Sequence, residues 1–272
     1  MKLTTAKSLK EIPAEAWDAL AGESSPFVQH DFLLALELGD CLLPYGWQPQ
    51  YLLIYSDDNE LIGAAPAYIK TNSYGEFVFD WAWADACQRA QLQYYPKLVI
   101  AVPYSPVTGP RLLAKDDNAD IKKLLVEFSI GVAEQQQLSS VHWLFNTQQD
   151  HDIQLATGLL PRFDYQFHWH NKNYKNFDDF LVTLNSKKRK NIRRERRKVQ
   201  EAGINIRIIT GPELTAQQWQ EMYNFYAITF MKKYGTATLS LDFFKAIAHK
   251  LLAVLAYDLS LIHISEPTRL RR

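Results

Sequence analysis

Residues 51–70 read Tyr-Leu-Leu-Ile-Tyr-Ser-Asp-Asp-Asn-Glu-Leu-Ile-Gly-Ala-Ala-Pro-Ala-Tyr-Ile-Lys, two apolar runs around a polar segment. This pattern predicts a β-hairpin of Tyr51–Tyr55 and Leu61–Lys70 with its turn at Asp57–Glu60. Further along, Ile121–Gln136 has apolar residues at the spacing of a helix that lies on a sheet. Hairpins interrupted by helices predict a mixed α/β layer structure (α+β mixed sheets), not a doubly wound parallel sheet.

The remaining elements of the first half follow from local signals. A short helix is predicted over 13–20, and another over 31–38 with Asp31 as its N-cap and Gly39 as its end. Phe77–Trp83 and Lys97–Val102 are further apolar segments, and Val141–Asn146 is predicted as a short strand.

A second unit is predicted to begin near Phe163 and to repeat the order of helices and strands seen in the first. Its predicted elements are a strand at 165–170, a helix at 177–184, a basic helix at 187–202 ended by Gly203, a strand at 204–209, helices at 219–233 and 241–252, and a buried strand at 251–257. The expected domains are therefore 1–162 and 163–258.

Composition places the chain among globular proteins. It has 272 residues, of which 47% are hydrophobic and 22% charged, which excludes disordered and collagen-like classes. Cys41 and Cys87 form no CxxC motif, and this favours a reducing compartment. The sequence shows neither an apolar leader nor a membrane-spanning run. We therefore expect a cytoplasmic protein.

The last residues read as a non-native tail. Residues 259–270 match, position by position, the in-frame translation of a transposase adapter used to prepare sequencing libraries. The alternative is a genuine amphipathic tail. If 259–272 is non-native, the strand at 251–257 promises a sheet that continues, and the second domain is incomplete.

Charge is concentrated in one segment. The chain has 30 basic and 30 acidic residues, and residues 187–198 hold nine of the former and one of the latter. The remainder, with 21 basic and 29 acidic residues, carries a net charge of −8. This asymmetry indicates a cationic helix on an acidic body.

The basic helix predicts a docking face for phosphate. Arg189, Arg193 and Arg197 follow one another at intervals of four, with Lys190 and Arg194 beside them. Like charges at this spacing destabilise a helix, and a bound phosphate would offset that cost because guanidinium forks suit its oxygens. The alternative is a solvated helix neutralised by the acidic body.

Two further groups are candidates for chemistry. Glu76, Asp80 and Asp85 surround Trp81 and Trp83, and acids among aromatic rings can have a raised pKa and act as a general base. These acids could equally cap a turn or pair with Arg89.

The second group is His168 and His170, which share one face of the predicted strand. No third ligand at a telling distance supports a metal site, and surface histidines are the alternative. The chain also has no Walker, GxSxG or HExxH motif.

Longer motifs give a resemblance. The motifs are Gly46-Trp47, Gly63-x-x-Pro66-x-Tyr68-x-Lys70, Glu76-x-x-x-Asp80-Trp81-Ala82-Trp83-Ala84, Tyr94-Tyr95-Pro96-Lys97-Leu98, Ala101-Val102-Pro103, Pro106-Val107-x-Gly109-Pro110-Arg111-Leu112-Leu113, Gln166-Phe167-His168-Trp169-x-Asn171 and 186–197. Together they resemble segments of the FemAB-like peptidoglycan biosynthesis/recognition proteins. That family belongs to the Gcn5-related N-acetyltransferase (GNAT) superfamily. The clearest single match is 186–197, and the resemblance runs from about Phe27 to Tyr257.

The resemblance implies two tandem GNAT-like acyltransferase domains, the second incomplete. It implies transfer of an acyl or aminoacyl group to an amine, such as one of a cell-wall precursor, with acyl-CoA or aminoacyl-tRNA as the donor. From the residues themselves we expect no metal. Carried over, the basic helix would hold a phosphate-bearing substrate, and Gly109 with Pro110 would line the cleft of the first domain. The helix residues concerned are Lys187, Arg189, Lys190, Arg193, Arg194 and Arg197.

We name Asp80 and His168 as the residues to test as a catalytic base, and Trp81 and Trp83 as substrate contacts. Two alternatives remain at this point. One is a non-catalytic RNA- or nucleotide-binding module that uses helix 187–198, and the other is an inactive fragment. The sequence leaves the donor, the acceptor and the oligomeric state open.

Overall fold

The computed structural model describes residues 1–258 apart from residue 234, so the predicted tail at 259–272 lies outside the described residues. The chain divides into two compact units, Met1–Arg162 with Thr215–Lys250, and Phe163–Leu214 with the residues from Leu251 onward. Thr215–Lys250, predicted as part of the second domain, thus clusters with the first unit. The assignment of two tandem GNAT-like domains stays a prediction.

The first unit contains two four-stranded sheets. Its strands are β1 (Lys2–Ala6), β2 (Trp47–Pro49), β3 (Tyr51–Tyr55), β4 (Leu61–Ala65), β5 (Ala67–Lys70), β6 (Lys97–Ile100), β7 (Leu113–Ala114) and β8 (Val141–Trp143). One sheet is antiparallel, in the order β1-β3-β4-β7. The other has the order β2-β5-β6-β8, and its β6–β8 pair is parallel. The structure is therefore mixed α/β, as predicted.

The predicted hairpin is confirmed, with one difference. Strands β3 and β4 pair antiparallel, with Leu52 opposite Ala65. The run Leu61–Lys70 is two strands, because Pro66 lies between β4 and β5 and has no N–H for a sheet ladder. The chain passes at this proline from one sheet to the other.

Helices cover these sheets. Those of the first unit are α1 (Ala14–Ala21), α2 (His30–Leu38), α3 (Trp81–Arg89), α4 (Ala119–Gln135), α5 (Gln148–Ala156) and, after the two helices of the second unit, α8 (Ala216–Met231) and α9 (Leu241–Ala246). Helix α4 begins where the Asn118 side chain accepts the N–H groups of residues 120 and 121. Its apolar stripe, including Ile121 and Leu125, packs on a core with Leu52 and Leu98.

The N-cap predicted for helix α2 is wrong. Asp31 is the second residue of that helix, and the N-cap position is Gln29, whose side chain makes no capping bond. The first free N–H, that of His30, instead donates to Asp18 Oδ1 of helix α1 at 2.7 Å. Capping by a neighbouring helix cannot be seen in a local motif.

Helix α9 packs against helix α2 within the first unit. The rings of Phe32 and Phe243 meet edge to face with their centroids 5.6 Å apart. Nearby, Asp31 Oδ2 lies 2.7 Å from His249 Nε2 and 3.0 Å from Lys250 Nζ. These contacts join residues 241–250 to the first unit.

The second unit has less regular structure. Its described elements are α6 (Phe177–Val182), α7 (Ser186–Glu201), β9 (Ile204–Thr210) and β10 (Leu252–Asp258). Strands β9 and β10 pair antiparallel, with Val254 opposite Ile208. Helix α7 follows the Asn185 side chain, which accepts the Lys188 N–H, and the positive-φ Gly203 comes soon after its end.

Two predictions for this unit are wrong. Residues 165–170 alternate polar and aromatic side chains as a strand does, but they belong to no strand of the described chain. A strand needs a partner for its backbone groups as well as the right pattern, and neither β9 nor β10 pairs with this segment. Strand β10 forms as predicted, but only partly as a buried strand, since Ala253 is buried while Leu252 and Val254 are exposed.

Candidate functional site

Lys97, the first residue of β6, lies at the centre of a buried polar cluster in the first unit. Its Nζ donates to Ser73 Oγ at 3.1 Å, to Glu76 Oε2 at 2.9 Å and to Asp80 Oδ2 at 2.7 Å. The side chains of Lys97, Glu76 and Asp80 are 0% exposed. Three acceptors satisfy the three donors of the ammonium group.

Residues with polar or titratable groups surround this ammonium. Tyr94 donates from its hydroxyl to Asp80 Oδ2 at 2.6 Å, and its ring lies edge-on to that of His142, with the centroids 6.0 Å apart. Tyr95 and Ser73 share a 2.6 Å hydrogen bond. We call Ser73, Glu76, Asp80, Tyr94, Tyr95, Lys97 and His142 the Lys97 cluster.

The two carboxylates of the Lys97 cluster differ in their pKa values. Burial works to raise the pKa of Asp80, but hydrogen bonds from Lys97 and Tyr94 outweigh it and hold the pKa at about 2. Burial raises the pKa of Glu76 against the attraction of Lys97. The prediction of a raised pKa is therefore wrong for Asp80. A carboxylate with so low a pKa is a weak base at neutral pH, and its catalytic role stays a prediction that this ion pair disfavours.

The same cluster contains the one group of acids and histidine in the described chain that is close enough to hold a metal ion. One ligand atom each of Glu76, Asp80 and His142 lies within 4.8 Å of the others. Glu76 Oε1 and Asp80 Oδ1 are buried and have no hydrogen-bond partner among the described residues. Burial and the nearby Lys97 lower the pKa of His142 to about 4, so its ring is neutral at pH 7.

The tryptophans predicted to contact the substrate lie next to this cluster in the chain. Trp81 and Trp83 open helix α3, of which no residue is buried. Trp83 is 62% exposed and Trp81 42%, and the Trp81 ring is 5.0 Å from that of Tyr74. Both rings are accessible to a ligand.

Gly109 and Pro110 precede the buried Arg111, whose guanidinium binds backbone carbonyls of this segment. The Gly109 N–H donates to the Phe145 carbonyl at 3.0 Å, so it is not free to bind a substrate oxygen. The Arg111 guanidinium donates to the carbonyls of Val107, Pro110 and Leu144 at 2.8 to 3.1 Å. A Cβ on Gly109 would lie 3.2 Å from Arg111 Nη1. These contacts show a structural role, and the lining of a cleft stays a prediction.

Helix α7 of the second unit presents the predicted arginines on its surface. One face of the helix, which we call the arginine face, carries Ser186, Arg189, Lys190, Arg193, Arg194 and Arg197. Lys187 lies on the same helix but outside this set. The face therefore unites five of the six residues predicted to bind a phosphate-bearing substrate.

Few acids neutralise the arginine face within the described residues. Arg193 Nη2 lies 3.1 Å from Asp178 Oδ1, and Arg197 Nε lies 3.7 Å from Glu201 Oε1. Both pairs are well exposed to solvent. Exposed pairs of this kind contribute little and exchange readily with other anions.

His168 lies outside any helix or strand, in the second unit, and is exposed. Its Nε2 is 3.2 Å from Gln166 Oε1, and its ring stacks on that of His170 with the centroids 6.3 Å apart. Asp80, the other candidate base, belongs to the first unit.

Sequence reasoning missed Lys97 and His142. Lys97 lies in the apolar segment Lys97–Val102, and His142 lies in the predicted strand Val141–Asn146. A titratable residue in such a run is the available signal, because a buried polar group needs partners. None of the helices in the described part of the chain has the length and apolarity needed to cross a membrane.

Comparison with known proteins gives one result. No curated protein matches the chain. The family model of FemAB-like proteins, described as peptidoglycan biosynthesis/recognition, matches residues 8–264. Because that match spans nearly the whole sequence, the chain belongs to the FemAB-like family of peptidoglycan biosynthesis and recognition.

Proposed function

We propose that this protein binds a phosphate-bearing precursor of peptidoglycan on the arginine face and transfers an acyl or aminoacyl group to an amine of that precursor. The observation that carries the proposal is the arginine face itself. Five cationic side chains lie together on one face of a single exposed helix. The membership of the chain in a peptidoglycan family supports a cell-wall precursor as the anion.

Repulsion between its arginines destabilises helix α7. Arg189, Arg193 and Arg197 repel one another at i, i+4 spacing, and only Arg193 and Arg197 have an acid within ion-pair distance in the described chain. A diphosphate would relieve this repulsion and accept paired hydrogen bonds from guanidinium groups. Lysine at the same positions would keep the charge and lose the fork.

The proposed reaction is nucleophilic acyl transfer. The amine nitrogen attacks the carbonyl carbon of the donor, an amide C–N bond forms, and the donor C–S or C–O bond breaks. The proton lost by the amine ends on the departing thiol or hydroxyl group. Acyl-CoA and aminoacyl-tRNA are the donor classes we propose, and positioning of the amine supplies much of the acceleration in such reactions.

Trp81 and Trp83 stay in the proposal as substrate contacts of the first unit, because their rings are exposed. Asp80 and His168 remain proposed bases to test. Neither the exposed imidazole nor the ion-paired carboxylate carries the proposal.

The test is an assay of the full chain with a uridine-diphosphate-linked muramoyl peptide and each class of donor. Mass spectrometry should show the precursor gaining one acyl group, and R193A/R197A should lower the yield at least about tenfold. The matched control K232A/K233A removes two exposed charges from the end of α8 and should leave the yield unchanged. If the precursor binds but gains no mass from either donor, the proposed transfer is contradicted and the protein only binds the precursor.

A further inference from the structure

We propose that Glu76, Asp80 and His142 form a site for a divalent metal ion such as Zn²⁺ or Mn²⁺. This site lies in the first unit and is independent of the arginine face. The sequence predicts no metal, because His168 and His170 have no third ligand at a telling distance and Cys41 and Cys87 have no metal-ligand spacing.

The three proposed ligands lie close enough together to reach one metal ion. Ligand atoms of the three residues lie within 4.8 Å of one another. Ligands about 2.1 Å from one metal ion are roughly 3 to 4 Å apart. Closure of the present arrangement onto an ion therefore needs movements of about 1 Å or less at each side chain.

The two carboxylates also have unmet hydrogen bonding. Glu76 is 2% exposed and Asp80 0%, and each keeps one oxygen without a hydrogen-bond partner. Leaving a buried acceptor unpaired is costly, and the cost is larger for a charged group. A cation bound to Oε1 and Oδ1 would remove it.

Lys97 satisfies only half of each carboxylate. It binds Glu76 Oε2 and Asp80 Oδ2, and so fixes both groups while the other oxygen of each remains available. Outer partners of this kind commonly orient metal ligands. The ammonium also repels a dication, so we expect a modest affinity that is measurable at micromolar to millimolar metal.

The donor set indicates which ions fit. Two carboxylate oxygens and one imidazole nitrogen suit Zn²⁺ and Mn²⁺, and three protein ligands leave positions for water or a substrate oxygen. No thiol takes part. Soft ions that require sulfur are therefore disfavoured.

The experiment titrates Co²⁺ into the tag-free full chain and records the visible d–d absorption, with the melting temperature as a second readout. The wild-type chain should show a saturable band at one ion per chain and a rise in melting temperature. H142A and E76Q should weaken the binding at least about tenfold each. Circular dichroism establishes that each variant is folded, and the partly exposed His142 makes H142A the less disruptive of the two.

Matched controls decide between this site and a surface site. D85N removes a carboxylate of helix α3 that is outside the Lys97 cluster, and H168A/H170A removes the exposed histidine pair. Both variants should bind Co²⁺ as the wild type does. Absence of any saturable band up to millimolar Co²⁺ would overturn the proposal. A band that survives in H142A and disappears in H168A/H170A would overturn it equally.

Discussion

Lys97 Nζ lies 2.7 Å from Asp80 Oδ2, and neither side chain is exposed to solvent. The relationship joins the first residue of a central strand to the residue just before helix α3, 17 positions earlier. Glu76 completes the arrangement on the same ammonium. The buried ion pairs of Lys97 with Glu76 and Asp80 thus hold the residues that precede Trp81 and Trp83 in place.

Removing Lys97 should destabilise the protein strongly. K97M leaves two buried carboxylates without their counter-ion, and breaking such a buried pair costs about 3–5 kcal/mol. Urea unfolding followed by circular dichroism measures this change. The control is K115M, which removes a lysine whose 2.6 Å pair with Glu60 is exposed, and it should leave the free energy of unfolding nearly unchanged. Equal effects of the two variants would contradict a buried ion pair at Lys97.

Lys70 should make the stability depend on pH. Its Nζ is held by neutral acceptors, the Tyr74 carbonyl at 3.0 Å among them, and lies 4.0 Å from the Trp47 ring. Burial lowers the pKa of Lys70 from 10.5 to about 7. Between these two values the unfolded chain holds a proton that the native state has released. The free energy of unfolding should therefore rise with pH from about 7 upward, by at most about 1.4 kcal/mol per unit.

The measurement is urea unfolding of the wild type and K70M at pH 7, 8 and 9. K70M should flatten this rise, and the control K10M, which changes an exposed lysine, should keep it. A wild-type curve that is flat or falls over this range would show that Lys70 stays charged in the native state.

Trp83 should matter for binding and hardly for folding. W83A removes an exposed ring, so the free energy of unfolding should change by less than about 1 kcal/mol, while the yield of the transfer assay falls. W17A is the contrasting case. Trp17 is fully buried and donates from Nε1 to the Val28 carbonyl at 2.8 Å, and its loss should cost about 3–5 kcal/mol. An unchanged transfer yield with folded W83A would remove Trp83 from the substrate contacts.

Local patterns predicted much of the fold. The hairpin around residues 57–60, helix α4 and the basic helix α7 were all found from periodicity and turn signals, within a few residues of their ends. Helix α3 is not predicted from the sequence, where its first residues belong to the apolar segment Phe77–Trp83, and none of its residues is buried in the structure. Helix α5 is similar, with only Asp150 and Gln154 buried.

The buried site could not be predicted in the same way. The acids at 76 and 80 were noticed, but Lys97 and His142 approach them from later strands that pair side by side. Such long-range contacts leave no mark in local spacing. The segment 165–170 shows the converse, since its alternation is that of a strand, yet pairing depends on a partner elsewhere in the chain.

The arginine face is the central claim, and one binding measurement tests it most directly. Calorimetric titration of the uridine-diphosphate-linked muramoyl peptide is carried out at low and at physiological salt, with the wild type, R193A/R197A and R193K/R197K. The wild type should bind with an affinity that falls as salt rises, because charges at an exposed face are screened. R193A/R197A should bind at least about tenfold more weakly with a shallower salt dependence, and R193K/R197K should lie between the two. Equal affinity and equal salt dependence of the wild type and R193A/R197A would contradict the claim.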